Sequence, residues 1–338
     1  MNISVDAGAL CVKKNQTFGN AVFTSNLILA LARYDKNTVY HLYAFCRLPD
    51  VIKKLRVKSH TLLPKKFWMD FRVTLEEWLR PKDVFLAVNQ AMPAFIRSKV
   101  ISFSHGLSFY HFPHLYKQDY TRLRAQLHRM VSKSQHIVVS SQKVKEEMLN
   151  IFPDRNNIHV IPFGIPLDME KPTKQGEKKK IFLFVGMDHP VKHVQFILDV
   201  FLEFSKNKAY SGYSLLLVGP FSRISNNSKR ILCVPNASRR QLKQLYRTCL
   251  AYVTASFYES FNLPVLEALS QGCQPIGLSS AIIPELSPYV YVAYDKNTFV
   301  ENMRRVAEGE RKNIEYGKLN KEFSWKSYVE KLQQLYLV

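Results

Sequence analysis

Short, near-continuous apolar runs rich in β-branched and aromatic residues recur along this chain, separated by longer stretches of helical periodicity. The first half carries such runs at 3–6, 39–45, 84–88, 100–103, 137–140 and 159–161. The second carries them at 181–185, 214–218, 231–234, 251–254, 275–278 and 290–292. A strand that is apolar on both faces must be covered on both, which is the condition of a parallel sheet between helical layers. Helical patterns at 20–32, 143–150, 193–204 and 239–246 supply those layers. Two such series predict an α/β protein of two doubly wound, Rossmann-like domains. The chain has 338 residues, room for two domains of roughly 150 each.

The joint is expected in 166–180, where PLDMEKPTKQGEKKK is polar, bears Pro and Gly and has no periodicity. The expected division is 1–165, 166–322 and 323–338. The last segment reads as an amphipathic helix over 325–337, with Tyr328, Leu332, Leu335 and Tyr336 on one side.

Apolar residues make up 46% and charged residues 22%, which excludes a disordered chain. The net charge of +21 is spread evenly, 24 basic against 13 acidic residues in 1–170 and 24 against 14 after it. That surface suits nucleotide phosphates, anionic headgroups or nucleic acid, or is simply solvated. Cys11, Cys46, Cys233, Cys249 and Cys273 show no CxxC and no Cys/His metal spacing, which suits a reducing compartment. The start, MNISVDAG, lacks the plan of a signal peptide, and no apolar run reaches the ~20 residues of a spanning helix. A cytoplasmic protein is expected, free or peripheral on the inner face of the cell membrane.

The most informative segment is 256–274, SFYESFNLPVLEALSQGCQ. A strand enters a turn, Pro264 suits the first turn of a helix, and Gly272 is placed to end it. The positive end of that helix, at the carboxyl edge of a parallel sheet, is an anion site. Two carboxylates flank it, Glu259 in the loop and Glu267 one turn in. Alone, the first reads as a cap and the second as an ordinary helical glutamate. Together, in E-S-F-N-L-P-V-L-E-A, they resemble the donor-site motif of retaining glycosyltransferase family 4. The likeness runs through Leu245–Tyr246, Gly272–Pro275 and Pro284–Glu285, and on to Phe323-Ser324-Trp325.

The resemblance implies the GT-B architecture, two Rossmann-like domains facing across a cleft: an N-terminal acceptor domain, a C-terminal nucleotide-sugar domain and a last helix crossing back. It implies that Glu259 binds the transferred sugar, Glu267 the ribose, and the backbone of Ser260, Phe261, Asn262 and Leu263 the sugar and diphosphate. Gly186 and Lys192 resemble the strand end and lysine that touch the diphosphate, a compact cation suited to phosphate oxygens. Where the family has arginines, this chain has Met187 and Val191. Pro235, after 231–234, resembles the segment beside the nucleobase. In the first half, His105 within SFSHGLSFYHFP resembles the family histidine near the anomeric carbon, with Gly106 in place of aspartate. Thr17-Phe18-Gly19-Asn20 resembles the glycine loop facing diphosphate and acceptor, with Gly19 its glycine.

The chain contains no Asp-x-Asp, so a metal clamp on the leaving diphosphate is not expected; Lys192 and the helix start offer an electrostatic alternative. The resemblance implies a retaining, metal-independent hexosyltransferase without a cofactor. GDP-mannose is its first candidate donor, UDP-sugars follow, and the acceptor is a glycan or lipid-linked saccharide such as lipopolysaccharide or capsule. Residues 53–82 are basic and carry Phe67, Trp68, Phe71, Leu75 and Trp78 at roughly helical spacing, and 116–133 adds further cations. Core packing and contact with an anionic membrane surface both fit that pattern. Two other classes are weighed: a non-catalytic donor-binding relative, and a basic nucleic-acid-binding protein, for which no recognisable module appears.

Overall fold

The computed structural model describes residues 1–11, 19–170, 177–221 and 228–337. Thr17 and Phe18 of the expected glycine loop, and 171–176 of the expected joint, lie outside the described residues. The chain divides into two compact units: Met1–Gly164 with Phe323–Val338, and Ile165–Glu322. Each is built on its own wholly parallel sheet.

The first sheet contains, among the described residues, β1 (Asn2–Asp6), β2 (Val39–Ala44), β3 (Val57–Thr61), β4 (Val84–Ala87), β5 (Lys99–Ser104), β6 (His136–Val139) and β7 (Ile158–Val160). Its order is β3-β2-β1-β4-β5-β6-β7. The chain winds outward from β1 through β3, then crosses back to lay β4 on the other side of β1. The carboxyl ends of β1 and β4 therefore flank the switch point where open α/β sheets bind ligands. β4 is buried along its whole length, as its unbroken VFLA requires.

β3 is a correction to the sequence reading, which counts no strand there and treats 53–82 as one basic helical pattern. Its VKSHT sequence alternates nothing apolar because it is an edge strand, mostly solvated. Only Trp68–Leu79 of that region is helical, a π-turn followed by an α-helix. The expected stripe splits: Trp68 is core, whereas Phe67, Phe71 and Trp78 are exposed.

The helix Trp325–Tyr336 belongs to the first unit, burying Trp325, Tyr328, Val329, Leu332 and Tyr336. The rings of Trp325 and Tyr328 lie about Phe23 of the helix Gly19–Tyr34, at centroid distances of 5.9 and 6.0 Å. At its far end Tyr336 and Tyr40 both donate to Asp35 Oδ2, at 2.8 and 2.7 Å. Burial opposes ionisation of Asp35, but the hydrogen bonds from Tyr40, Thr38 and Tyr336 prevail and hold its carboxyl at about 2.

The second sheet contains β8 (Lys179–Val185), β9 (Ser214–Val218), β10 (Ile231–Val234), β11 (Cys249–Thr254), β12 (Gln274–Leu278) and β13 (Tyr291–Ala293). The order β10-β9-β8-β11-β12-β13 puts its switch point between β8 and β11. Phe182, Phe184, Phe201, Phe204 and Leu215 are among the residues of its core.

The cysteine reading needs a second correction. Cys11 and Cys46 form a disulfide, with Cα atoms 5.6 Å apart. They stand 35 residues apart and meet only because β1 and β2 pair side by side, so no local spacing announces them. Cys233, Cys249 and Cys273 are free thiols. No helix of the described residues is long and apolar enough to cross a membrane.

Candidate active site

β8 ends at Val185, and Gly186 follows, its N–H donating to the Val218 carbonyl at 3.0 Å. Gly219 after β9 has φ +151°, and a Cβ there would stand 1.9 Å from the Gly186 oxygen. Only glycine lets the two strand ends approach so closely. The chain then makes a 3-10 turn, Pro190–Lys192, with His189 Nδ1 accepting from the Val191 N–H at 3.2 Å.

That turn is bound to the loop after β11. The Phe257 N–H donates to the Val191 carbonyl at 2.8 Å, and the Phe257 ring stacks on His193 with centroids 4.0 Å apart. Lys192 Nζ reaches Glu259 Oε1 at 2.6 Å, and the Ser256 hydroxyl donates to the same oxygen at 2.7 Å. A cation and a carboxylate, both only partly exposed, thus stand at the switch point of the second sheet. Val191 is 6% exposed and Met187 40%, so of the two positions where the sequence lacks an arginine, one is packed inward and one is open.

The loop closes at Asn262, which adopts φ +69°. Its amide donates to Thr254 Oγ1 at 3.3 Å and to the Ala281 carbonyl at 3.0 Å. The side chain therefore braces the loop and makes no cap bond to the helix Leu263–Ser270 that follows. Phe261 is likewise buried, at 1% exposure. The helix ends in a Schellman motif, with Cys273 N–H on the Ala268 carbonyl and Gly272 N–H on Leu269.

Glu267 is 4% exposed and fully engaged. Arg239 Nη1 meets Oε1 at 2.5 Å and the Tyr246 hydroxyl meets Oε2 at 3.1 Å. The same guanidinium holds Asp168 through Nε and Nη2, at 2.9 and 3.0 Å. Burial pushes the Glu267 carboxyl above its ordinary value, and Arg239 acts against that shift. Arg239 opens the helix Arg239–Thr248, whose capping box is Ser238 with Gln241. Pro235 is exposed in the loop that leads from β10 into this helix.

The structure thus gathers Gly186, Lys192, Glu259, Ser260, Phe261, Asn262, Leu263 and Glu267 around one edge of the second unit, with Pro235 in the loop next to Arg239. His105 and Gly19 belong to the first unit. His105 follows β5, and its Nε2 lies 2.7 Å from the Val88 carbonyl, which fixes the proton on Nε2 and leaves Nδ1 as an acceptor. Its ring abuts Phe23 edge-on at 5.1 Å. Burial lowers its pKa to about 4, so it is neutral at pH 7. Gly106 has φ +103°, a conformation that gives the glycine at this position a backbone reason. Gly19 opens its helix in the open, where a Cβ would meet nothing within 4 Å.

Sequence reasoning missed Arg239 and Asp168. An arginine at the start of a polar helix carries no signal of its partner 28 residues on. Asp168 sits in a segment read simply as a joint.

Two family models match the chain. Residues 168–327 match the model described as glycosyl transferases group 1, and residues 50–169 the model described as glycosyltransferase family 4. D-inositol 3-phosphate glycosyltransferase of Mycolicibacterium smegmatis is 22% identical over 236 residues, 62% of this chain and 54% of that protein. The chain thus spans about half the length of that curated relative. Among solved structures, a sucrose-phosphate synthase from Thermosynechococcus elongatus superposes with a TM-score of 0.75 at 14% identity, covering 99% of this chain and 98% of the other. Anabaena HepE in complex with UDP-glucose gives 0.73 at 12% identity, covering 99% and 98%. These structural likenesses concern the fold.

Proposed function

Because the chain belongs to the group 1 glycosyltransferases of family 4 type and has the GT-B fold, we propose that it transfers a glycosyl unit from a nucleoside-diphosphate sugar, with retention and without a metal. The observation that carries this reading is the 2.6 Å Lys192–Glu259 pair at the switch point, beside the start of the helix Leu263–Ser270. A nucleoside-diphosphate leaving group gathers negative charge as the glycosidic bond breaks. Lys192 and the helix dipole meet that charge in place of a cation, as preorganised groups whose orientation costs nothing at the moment of reaction. A diphosphate competes with Glu259 for Lys192 Nζ. Once released, Glu259 accepts hydrogen bonds from hydroxyls of the donor sugar. Glu267, already held by Arg239 and Tyr246, accepts from the ribose diol.

In this mechanism the acceptor attacks from the face the diphosphate leaves, and a donor phosphate oxygen takes its proton. Glu259 orients the sugar and forms no bond to it. His105 is neutral, and its Nδ1 is left as an acceptor for a saccharide hydroxyl. A hexose is proposed, mannose before glucose or galactose.

For the acceptor we propose a lipid-linked saccharide of a surface glycan such as lipopolysaccharide or capsule, reached at an anionic membrane face. Phe67, Phe71, Trp78 and Leu79 are 68%, 59%, 54% and 62% exposed, and Lys65, Lys66 and Arg80 are exposed beside them in sequence. Exposed aromatics interleaved with cations are the composition of an interfacial segment. Flotation with anionic vesicles tests this part, and protein left at the bottom of the gradient rejects it.

The donor claim is tested with a panel of nucleotide sugars in EDTA, wild type against Glu259→Ala. One donor turned over by wild type and spared by the variant supports it. Absence of turnover and of nucleotide-sugar binding moves the protein to a non-catalytic role, and an absolute need for metal removes the metal-free mechanism.

A further inference from the structure

The first unit holds two cysteines, Cys11 and Cys46, and both are spent in its disulfide. The strands they follow do not need that bond. β1 and β2 pair in parallel register from Asn2 on Val39 to Asp6 on Tyr43, and the Ala7 N–H continues onto the Tyr43 carbonyl at 2.9 Å. Asp6 fixes the next step: its Oδ1 accepts the Gly8 N–H at 2.9 Å and its Oδ2 accepts Asn89 Nδ2 at 3.0 Å. The bond therefore acts on what lies beyond, the 3-10 turn Gly8–Cys11 and the residues packed on it.

Those residues close a ring. The Trp68 indole lies on Gly8, where an added Cβ would stand 3.0 Å from Cζ3. The indole also meets the Phe45 ring edge-on, with centroids 5.4 Å apart. Phe45 precedes Cys46, and Cys46 returns through sulfur to Cys11. Trp68 is held there against two unfavourable terms. Its indole N–H is buried with no hydrogen-bond partner among the described residues. Phe67, just before it, has φ +54° without being glycine. Behind it, Met69 and Val73 are buried and Asp70 is paired with Arg129, so the rest of the π-turn is anchored.

We propose that the Cys11–Cys46 bond is a redox switch for this aromatic turn; its consequence at the membrane rests on the membrane reading above. With the bond formed, Trp68 stays on Gly8 and Phe45. A small thiol of the glutathione class reduces it: the S–S bond breaks to two cysteine thiols, and two reductant thiols, giving up two protons and two electrons, leave as their own disulfide. Cys11 and Cys46 are half-buried, within reach of such a thiol, and the other three cysteines lie in the second unit, so none beside the pair diverts reoxidation. Freed of the clamp, the indole turns outward to join the exposed Phe67 and Phe71, and its N–H gains water. Lys65 and Lys66 lie over the rings of Phe45 and Phe67, each at 5.3 Å, so the enlarged apolar surface meets anionic headgroups with cations in place.

The test uses the full chain, oxidised or reduced with dithiothreitol, and vesicles of phosphatidylcholine with phosphatidylglycerol. Denatured, the oxidised chain should show three thiols and the reduced chain five. Reduction should shift tryptophan emission to the red with far-UV circular dichroism unchanged, and Trp68→Phe should abolish the shift. Vesicle partitioning should tighten roughly tenfold, the worth of one large side chain moved to an apolar phase, and should return with oxidised glutathione. Cys11→Ser combined with Cys46→Ser should behave as the reduced chain, with or without dithiothreitol. An oxidised chain with five thiols, emission that ignores reduction, or equal affinity of two vesicle-binding forms overturns the proposal. So does loss of the far-UV signal on reduction, which would make the bond a staple of the fold. Vesicles that neither form binds overturn the membrane reading instead, and the Trp68 emission still decides the switch.

Discussion

Replacing Arg239 by alanine removes the cation that makes a buried glutamate tolerable. Glu267 loses its 2.5 Å partner and keeps the Tyr246 hydroxyl, while Asp168 loses both of its bonds to the guanidinium. Breaking a fully buried ion pair from one side costs about 3–5 kcal/mol. The Arg239 side chain is 26% exposed, so water partly replaces it, and we expect roughly 2–3 kcal/mol. For a unit the size of Ile165–Glu322 that lowers its unfolding midpoint by roughly 5–10 °C. The second consequence concerns pH. Burial already raises the Glu267 pKa and Arg239 opposes the rise, so the variant's carboxyl climbs further. The proposed ribose recognition needs the carboxylate, so the variant's donor KM should increase as pH falls towards that raised value, while the wild type's stays flatter. Thermal unfolding and a KM–pH series read the two effects. The double variant Arg239→Ala with Glu267→Gln should be more stable than Arg239→Ala alone, because the glutamine leaves no charge stranded. An unchanged midpoint in Arg239→Ala, or a double variant less stable than the single one, would mean that Glu267 does not depend on the Arg239 charge.

Three further outcomes follow from the geometry. The folded-state pKa of His105 is about 4 against 6.5 unfolded, so stability is unaffected above pH 6.5 and is lost as pH falls from there through 4, by about 3 kcal/mol in full; its imidazole signals should not titrate between pH 5.5 and 8. Tyr336→Phe removes the donor to Asp35 and should cost about 2 kcal/mol of first-unit stability; Asp35 itself, depressed to about 2, contributes stability above pH 3.8 that disappears as pH falls through 2, readable by acid unfolding. Gly219→Ala places a Cβ 1.9 Å from the Gly186 oxygen, so the strand ends must part; we expect at least about 3 kcal/mol of destabilisation and weakened nucleoside-diphosphate binding, and wild-type values for both would contradict the close approach.

How far the sequence reaches can be seen in particular elements. Strands buried on both faces, such as β4 and β11, announce themselves because burial demands an unbroken apolar run. β3 does not, because an edge strand needs no apolar face and its pairing with β2 is made by backbone. Glu259 and Glu267 are legible because one loop entering one helix fixes their spacing, and Lys192 only through the family resemblance, since its contact with Glu259 spans 67 residues. Arg239, Asp168, the Asp6–Asn89 pair and the Cys11–Cys46 bond are contacts between residues 28 to 83 positions apart, set by which strand ends the topology makes neighbours. The aromatic residues of 67–78 show a further limit: periodicity cannot tell the buried Trp68 from the exposed Phe71 until the irregular π-turn has rotated them apart.

The most direct test of the donor site is calorimetric titration of GDP and UDP, in EDTA, into wild type, Lys192→Ala and Glu267→Ala. One nucleotide is expected to bind wild type with a stoichiometry of one. Each variant should weaken it by roughly 1.5–3 kcal/mol, the worth of a charged hydrogen bond, which is about 10- to 150-fold in Kd. Failure of both nucleotides to bind wild type, or variants that bind as tightly as wild type, would contradict the proposed donor site.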